Sequence, residues 1–189
     1  AGGAVNVVLL VFKFVAGILG HSAAMIADAI HSLSDFITDL IVLLFVYISG
    51  KPQDKTHDYG HGKYETLALV FIGVALLVVA IGIFTNGAQQ IAAWYHGEEL
   101  KAPGMLALWA ALISILLKEL TYRFTIRKAR QLNSTSMEAN AWHHRSDALS
   151  SIGTAVGIGG AVLLGKRWTV LDPLASLIVG AFIVKVSFD

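Results

Sequence analysis

The sequence predicts an all-α membrane protein, a bundle of six transmembrane helices with both termini on the cytoplasmic side. Three observations predict it. Hydrophobic residues make up 56% of the chain and charged residues only 14%, against roughly 25% charged in an ordinary soluble domain. Six apolar runs, most near the ~20 residues that a helix needs to cross the hydrocarbon core, are separated by segments with turn residues. No run shows the alternation of a transmembrane β-strand.

The first run covers residues 4–19 and stops at Gly20. The second, 22–48, is closed by Gly50 and Pro52, and the third, 66–93, by Gly97. The fourth, 103–124, is followed by a basic stretch and by Asn133 and Ser134. The fifth, 136–164, opens on Thr135 and Glu138, spaced as a capping box, and closes at Gly165. The sixth is 171–186. An even number of spans leaves both termini on one side. Lys51, Lys55, Lys63, Arg123, Arg127, Lys128 and Arg130 flank one side of the membrane, and Lys101, Lys166 and Arg167 the other. The excess of cations assigns the first side, and the termini with it, to the cytoplasm. Lys13 in the middle of the first run, with no small-residue cleavage site after it, argues against a signal peptide. Residues 1–189 read as one membrane domain, and a soluble domain is expected to follow Asp189.

Two classes of function are excluded early. With no cysteine there is neither a disulfide framework nor a thiolate metal site, so any metal must be held by nitrogen and oxygen. A net charge of +1 argues against a nucleic-acid partner.

The informative residues are those that a purely structural membrane helix would not keep. An ionisable group at mid-membrane costs about 2.5–3.5 kcal/mol on insertion scales, and such groups mark function by default. Asp28, His31, Asp35 and Asp39 lie three or four apart in the second run and share one helical face with Ser32. Ile26, Leu33, Ile37 and Leu40 occupy the opposite face. In the fifth run His143 and Asp147 are four apart, and Ser150, Ser151 and Thr154 continue the polar side. At 1.5 Å per residue, His31 and Asp35 lie roughly 14 and 20 Å from the outer end of their helix, and His143 and Asp147 roughly 12 and 18 Å from the inner end of theirs. In a core about 30 Å thick the two pairs meet at overlapping depths. Two imidazoles and two carboxylates suit a tetrahedral zinc ion. A hydrogen-bonded His–Asp network that only joins helices would use the same residue types.

Other polar residues are less decisive. His144 replaces His143 as a ligand if the helix is rotated. Arg145 is expected to face a carboxylate or the headgroups. Glu119, Lys118 and Arg123 read as an interfacial ion-pair group, while Asp28, Asp39 and Asp172 are candidates for a proton or ion path. Gly153, Gly157 and Gly160 allow close helix contacts, for sliding or for ordinary packing. In the segment after the second run, His57 and His61 with Asp54 or Asp58 form a second candidate metal set at the cytoplasmic mouth, or a solvated loop with incidental histidines.

Four stretches carry a family resemblance. HSAAMIADAIHSLSDFITDL (21–40), HDYGHGKYETLA (57–68), HHRSDALSS (143–151) and LDPLASLIVG (171–180) occur in order over nearly the whole chain. They resemble the second helix, the loop into the third helix, the fifth helix and the sixth helix of the cation diffusion facilitators. The resemblance implies a transport site at His31, Asp35, His143 and Asp147, and a second site, present in some members, at Asp54, His57 and His61. It implies zinc as the transported substrate, with cadmium, cobalt or iron as other cargo, because His stands at both His positions; Asn or Asp there goes with manganese or iron. It also implies a homodimer joined through a cytoplasmic domain. A ligand imidazole must be neutral, so metal binding competes with protons. The expected activity is therefore efflux of a divalent metal against protons, in a multi-pass protein of the bacterial inner membrane. An intramembrane metallohydrolase would need an open coordination position and a general base. Four protein ligands close the shell here and no helical Glu lies near, so enzymatic turnover is not expected. A metal-binding membrane domain without flux is the other rival.

Overall fold

The computed structural model describes residues 2–49, 62–132 and 135–188. Among them the chain is helical throughout, without a strand: α1 (Gly2–Leu19), α2 (Ala23–Ser49), α3 (Gly62–Tyr95), α4 (Met105–Gln131), α5 (Thr135–Leu163) and α6 (Leu171–Phe188), with a 3₁₀ turn at Lys166–Trp168. Each helix matches an expected apolar run to within a few residues at most ends. The exception is α4, which continues past Phe124 to Gln131. That extension carries Arg127, Lys128 and Arg130, which are too polar to read as a span but form helix well. Lys128 and Arg130 also complement the negative end of the helix dipole.

The packing is inverted relative to a soluble bundle. Large apolar side chains face outward: Val8, Val11, Val15 and Ile18 on α1, Trp109, Leu112, Leu116 and Leu120 on α4, and Leu149, Ile152 and Val156 on α5 are all exposed. The interior is built from small residues, with Ala16, Ala24, Ala107, Ala110, Ala111, Ala155 and Ala175 in one cluster around Met25 and Ile158. Water would penalise that outer surface, whereas lipid favours it and leaves small residues to bring backbones together. Among the described residues, four segments, Gly73–Tyr95, Met105–Gln131, His144–Leu163 and Lys166–Lys185, are long and apolar enough to cross a membrane.

Helices α4 and α5 pack along each other, α3 lies against α6, and α2 is bordered by α1 and α6. Ile83 of α3 with Val179 and Ile183 of α6 forms a second core cluster. Glycine is required where the α1–α2 turn meets α4. The Gly104 amide donates to the Gly20 carbonyl at 2.7 Å, and a Cβ on Gly20 would stand 2.9 Å from that of Ala107. On α5, Gly157 and Gly160 face α6 so closely that a Cβ would collide with Ala175 and Leu171 respectively, whereas Gly153 has nothing within 4 Å of its Cβ position. Only two of the three glycines therefore serve close packing.

The start of α2 is fixed by α6. The Ser22 hydroxyl accepts from the Met25 amide at 3.0 Å as a helix cap and donates to Asp172 Oδ1 at 2.5 Å. Asp172 Oδ2 accepts the Ala23 amide at 2.7 Å and the Ala24 amide at 3.4 Å. Asp172, a candidate for a proton or ion path, forms a carboxylate clamp on the positive end of α2.

Candidate metal site

Helical spacing places the polar residues of α2 and α5 against each other. His31 and Asp35 are one turn apart on α2, with Nε2 of the imidazole 3.9 Å from Asp35 Oδ2. Asp147 arrives from α5. One ligand atom each from His31, Asp35 and Asp147 lies within 4.8 Å of the others. Ligands held 2.0–2.2 Å from a zinc ion stand roughly 3.3–3.6 Å apart, so a contraction of about an ångström closes these three around one ion. His31 is buried, and the two carboxylates are largely so. The backbone of His143 is helical in α5, but its side chain lies outside the described residues, as do Asp54, His57 and His61 and the side chain of Asp39.

Two cavities meet at this cluster. The larger, about 440 Å³, lies between α2, α5 and α6. It is lined by His31, Asp35 and Asp147, by Ser146, Ser150 and Thr154 along one stripe of α5, and by Ala175, Ile178, Phe182 and Lys185 of α6. The Ser150 and Thr154 hydroxyls have no hydrogen-bond partner among the described residues, so this wall offers oxygen atoms to whatever occupies the space. Gly153 lines it too, which is why a Cβ there would meet nothing. The smaller cavity, about 30 Å³, has room for about one water molecule. Asp35 and Asp147 line it, together with Lys13, Ser32, Lys118 and His144. His144 thus lines a cavity with the same two carboxylates, as His31 does in the larger one.

A buried charge network backs the cluster. Lys13 Nζ lies 2.6 Å from Asp28 Oδ2, both side chains being at most 1% exposed, and donates to Ser32 Oγ at 2.9 Å. The Ser151 hydroxyl donates to Asp28 Oδ1 at 3.1 Å. Lys118 of α4 donates to Ser151 Oγ and to the Asp147 carbonyl, both at 3.4 Å, and its Nζ is 3.9 Å from Asp147 Oδ2. Four helices are joined by this set. Asp28, on the α2 polar stripe with His31 and Asp35, is the partner of Lys13.

Two expectations change here. Lys118 does not join Glu119 and Arg123 at the interface. Those two pair with each other at 2.7 Å on the outer surface, while Lys118, one residue from Glu119 and so about 100° round the helix, turns inward and is buried. Arg145 faces aromatic rings: its guanidinium sits 4.8 Å from the Tyr122 ring centre and 5.3 Å from that of Trp142, and donates to the Tyr122 hydroxyl at 3.0 Å. A cation on two π-faces needs no carboxylate to be stable there. Lys13 and Lys118 had a signal in the sequence, each being a cation within an apolar run, but their partners come from other helices.

The family model for the cation efflux transmembrane domain matches residues 1–189, the full chain. An uncharacterized transporter of Methanocaldococcus jannaschii is 38% identical over 186 residues, covering 97% of this chain and 62% of that protein. Metal tolerance protein C1 of Arabidopsis thaliana is 40% identical over 189 residues, covering 94% of this chain and 39% of its own length. The manganese efflux system protein MneP of Bacillus subtilis is 35% identical over 188 residues, covering 97% of this chain and 62% of its own length. The chain therefore spans between about two-fifths and three-fifths of the length of these relatives.

Proposed function

The chain belongs to the cation efflux transmembrane domain family, as an integral, multi-pass membrane protein, and on that premise we propose that it carries a divalent metal ion out of the cytoplasm through His31, Asp35 and Asp147. The observation that carries this reading is the convergence of three ligand atoms from two helices within 4.8 Å. His143, one turn before Asp147 on α5, is the fourth ligand in this reading.

All six helices cross the membrane in this reading, with both termini in the cytoplasm, in accord with the distribution of Lys and Arg between the connecting segments. The larger cavity serves as the approach to the site, its α5 hydroxyls replacing water molecules stripped from the ion. Two carboxylates neutralise the charge of the ion, and the imidazoles supply borderline-soft nitrogen that favours zinc over harder ions. A protonated imidazole cannot ligate, so proton entry from the far side releases the ion and the antiport follows from ligand chemistry. The full-length protein acts as a homodimer in this reading, in a bacterial inner membrane. Asp54, His57 and His61 form a second, peripheral cytoplasmic ion site.

Manganese is the second reading for the cargo, favoured by the relative named as a manganese efflux protein. Both are decided by uptake into proteoliposomes under an imposed pH gradient, with zinc and manganese offered separately. Gradient-driven zinc uptake, lost in His31→Ala/Asp147→Ala, is the expected result. Uptake of manganese alone selects the second cargo, and undiminished uptake by the double variant refutes the site.

A further inference from the structure

Two buried ammonium groups share the walls of the ion site, and they are held differently. Lys13 is committed to Asp28, at 2.6 Å, and to Ser32, at 2.9 Å. Lys118 has no such close pairing: its Nζ is 3.9 Å from the Asp147 carboxylate and 3.4 Å from both the Asp147 carbonyl and the Ser151 hydroxyl. A charge-assisted N–H···O bond is normally about 2.7–2.9 Å long. Ser151 in turn donates to Asp28. The Lys118 ammonium therefore stands between two carboxylates, one of them an ion-site ligand and the other not, with the Ser151 hydroxyl leading from the first to the second.

Charge counting gives this position a consequence. Among the described residues at the cluster, Lys13 and Lys118 oppose Asp28, Asp35 and Asp147, which leaves a single net negative charge when the imidazoles are neutral. A divalent cation overcompensates that charge in an interior where uncompensated charge is costly. It also places two cations on Asp147. If Lys118 moves away from Asp147 toward Ser151 and Asp28, the ion is left with two carboxylates of its own.

We propose that Lys118 is a built-in counter-cation of the ion site, which neutralises Asp147 between transport events and shifts to the Ser151–Asp28 pair when a divalent ion enters. Lys118 is not a ligand. It sets affinity by competing with the ion for Asp147, keeping binding weak enough for release, as any conducting or carrying site must. Ser151 provides the withdrawal position. This inference rests on the ion-site reading above.

The test is zinc titration by calorimetry of the purified chain in detergent micelles, wild type beside Lys118→Met, Lys118→Gln and Ser151→Ala. Removing the competing charge is expected to tighten zinc binding roughly tenfold or more in both Lys118 variants. Ser151→Ala is expected to weaken binding, because the ammonium then stays on Asp147. Opposite shifts set the proposal apart from a packing defect, which would weaken both kinds of variant. Unchanged or weaker binding in a folded Lys118 variant overturns it, as does tighter binding in Ser151→Ala; the last result is decisive even if neither Lys118 variant folds. A wild-type chain that binds neither zinc nor manganese overturns the ion-site reading itself, and this inference with it.

Discussion

Replacing Asp28 by Asn strands the Lys13 ammonium in the bundle. The two groups lie 2.6 Å apart with side chains no more than 1% exposed. At an effective dielectric of about 20, unit charges at that separation attract by roughly 6 kcal/mol, part of which offsets the cost of taking both out of water. Removing one member of a buried pair costs about 3–5 kcal/mol. Asp28→Asn and Lys13→Met are each expected to lose that much stability. Lys13→Met/Asp28→Leu removes both charges and is expected to cost no more than about 2 kcal/mol, mainly because the Ser32 and Ser151 hydroxyls each lose a partner. The double variant should therefore be more stable than either single variant. Equilibrium unfolding in mixed micelles, followed by helical circular dichroism, measures all three against wild type. Additive losses, with a coupling below about 0.5 kcal/mol, would refute a buried ion pair at this position.

Gly157→Ala should cost about 1–3 kcal/mol in the same assay through overpacking against Ala175, while Gly153→Ala, with open space at its Cβ position, should leave stability unchanged. Asp172→Asn should lose about 1–2 kcal/mol as the charged clamp on the α2 amides is weakened; an unchanged unfolding midpoint would count against it. Zinc affinity should fall as pH is lowered from about 7.5 to 5.5, because imidazole ligates only when neutral, by up to about tenfold per pH unit for each proton displaced. Titrations at fixed ionic strength check this, and an affinity independent of pH would exclude histidine from the site.

Most of the helical architecture was legible because lipid makes a span a compositional object: a run of apolar residues closed by turn residues. The end of α4 was not, since Arg127, Lys128 and Arg130 extend the helix without extending the apolar run. The candidate ligands His31, Asp35 and Asp147 could be picked out because their cost in a membrane marks them, and because the i, i+4 spacing puts His31 with Asp35 on one face. The network behind them was not legible. Lys13 precedes Asp28 by fifteen residues and lies on another helix, and Lys118 precedes Asp147 by twenty-nine. Helical periodicity relates residues within an element, whereas these pairings depend on how α1 and α4 are rotated against α2 and α5. Lys118 shows the difficulty: its neighbours Glu119 and Arg123 satisfy each other by the i, i+4 rule, which made all three look like a surface group. The capping role of Asp172 was hidden for a related reason, since the α2 amides that it caps are about 150 residues away in the chain.

The most direct test of the proposed ion site is to count the ions bound. Equilibrium dialysis of the purified chain against zinc, with wild type beside Asp35→Asn/Asp147→Asn, reports bound metal per chain while circular dichroism verifies the fold. The expected result is one ion fewer per chain in the variant, with helix content unchanged. Equal binding at equal affinity by a folded variant would contradict a metal site at His31, Asp35 and Asp147.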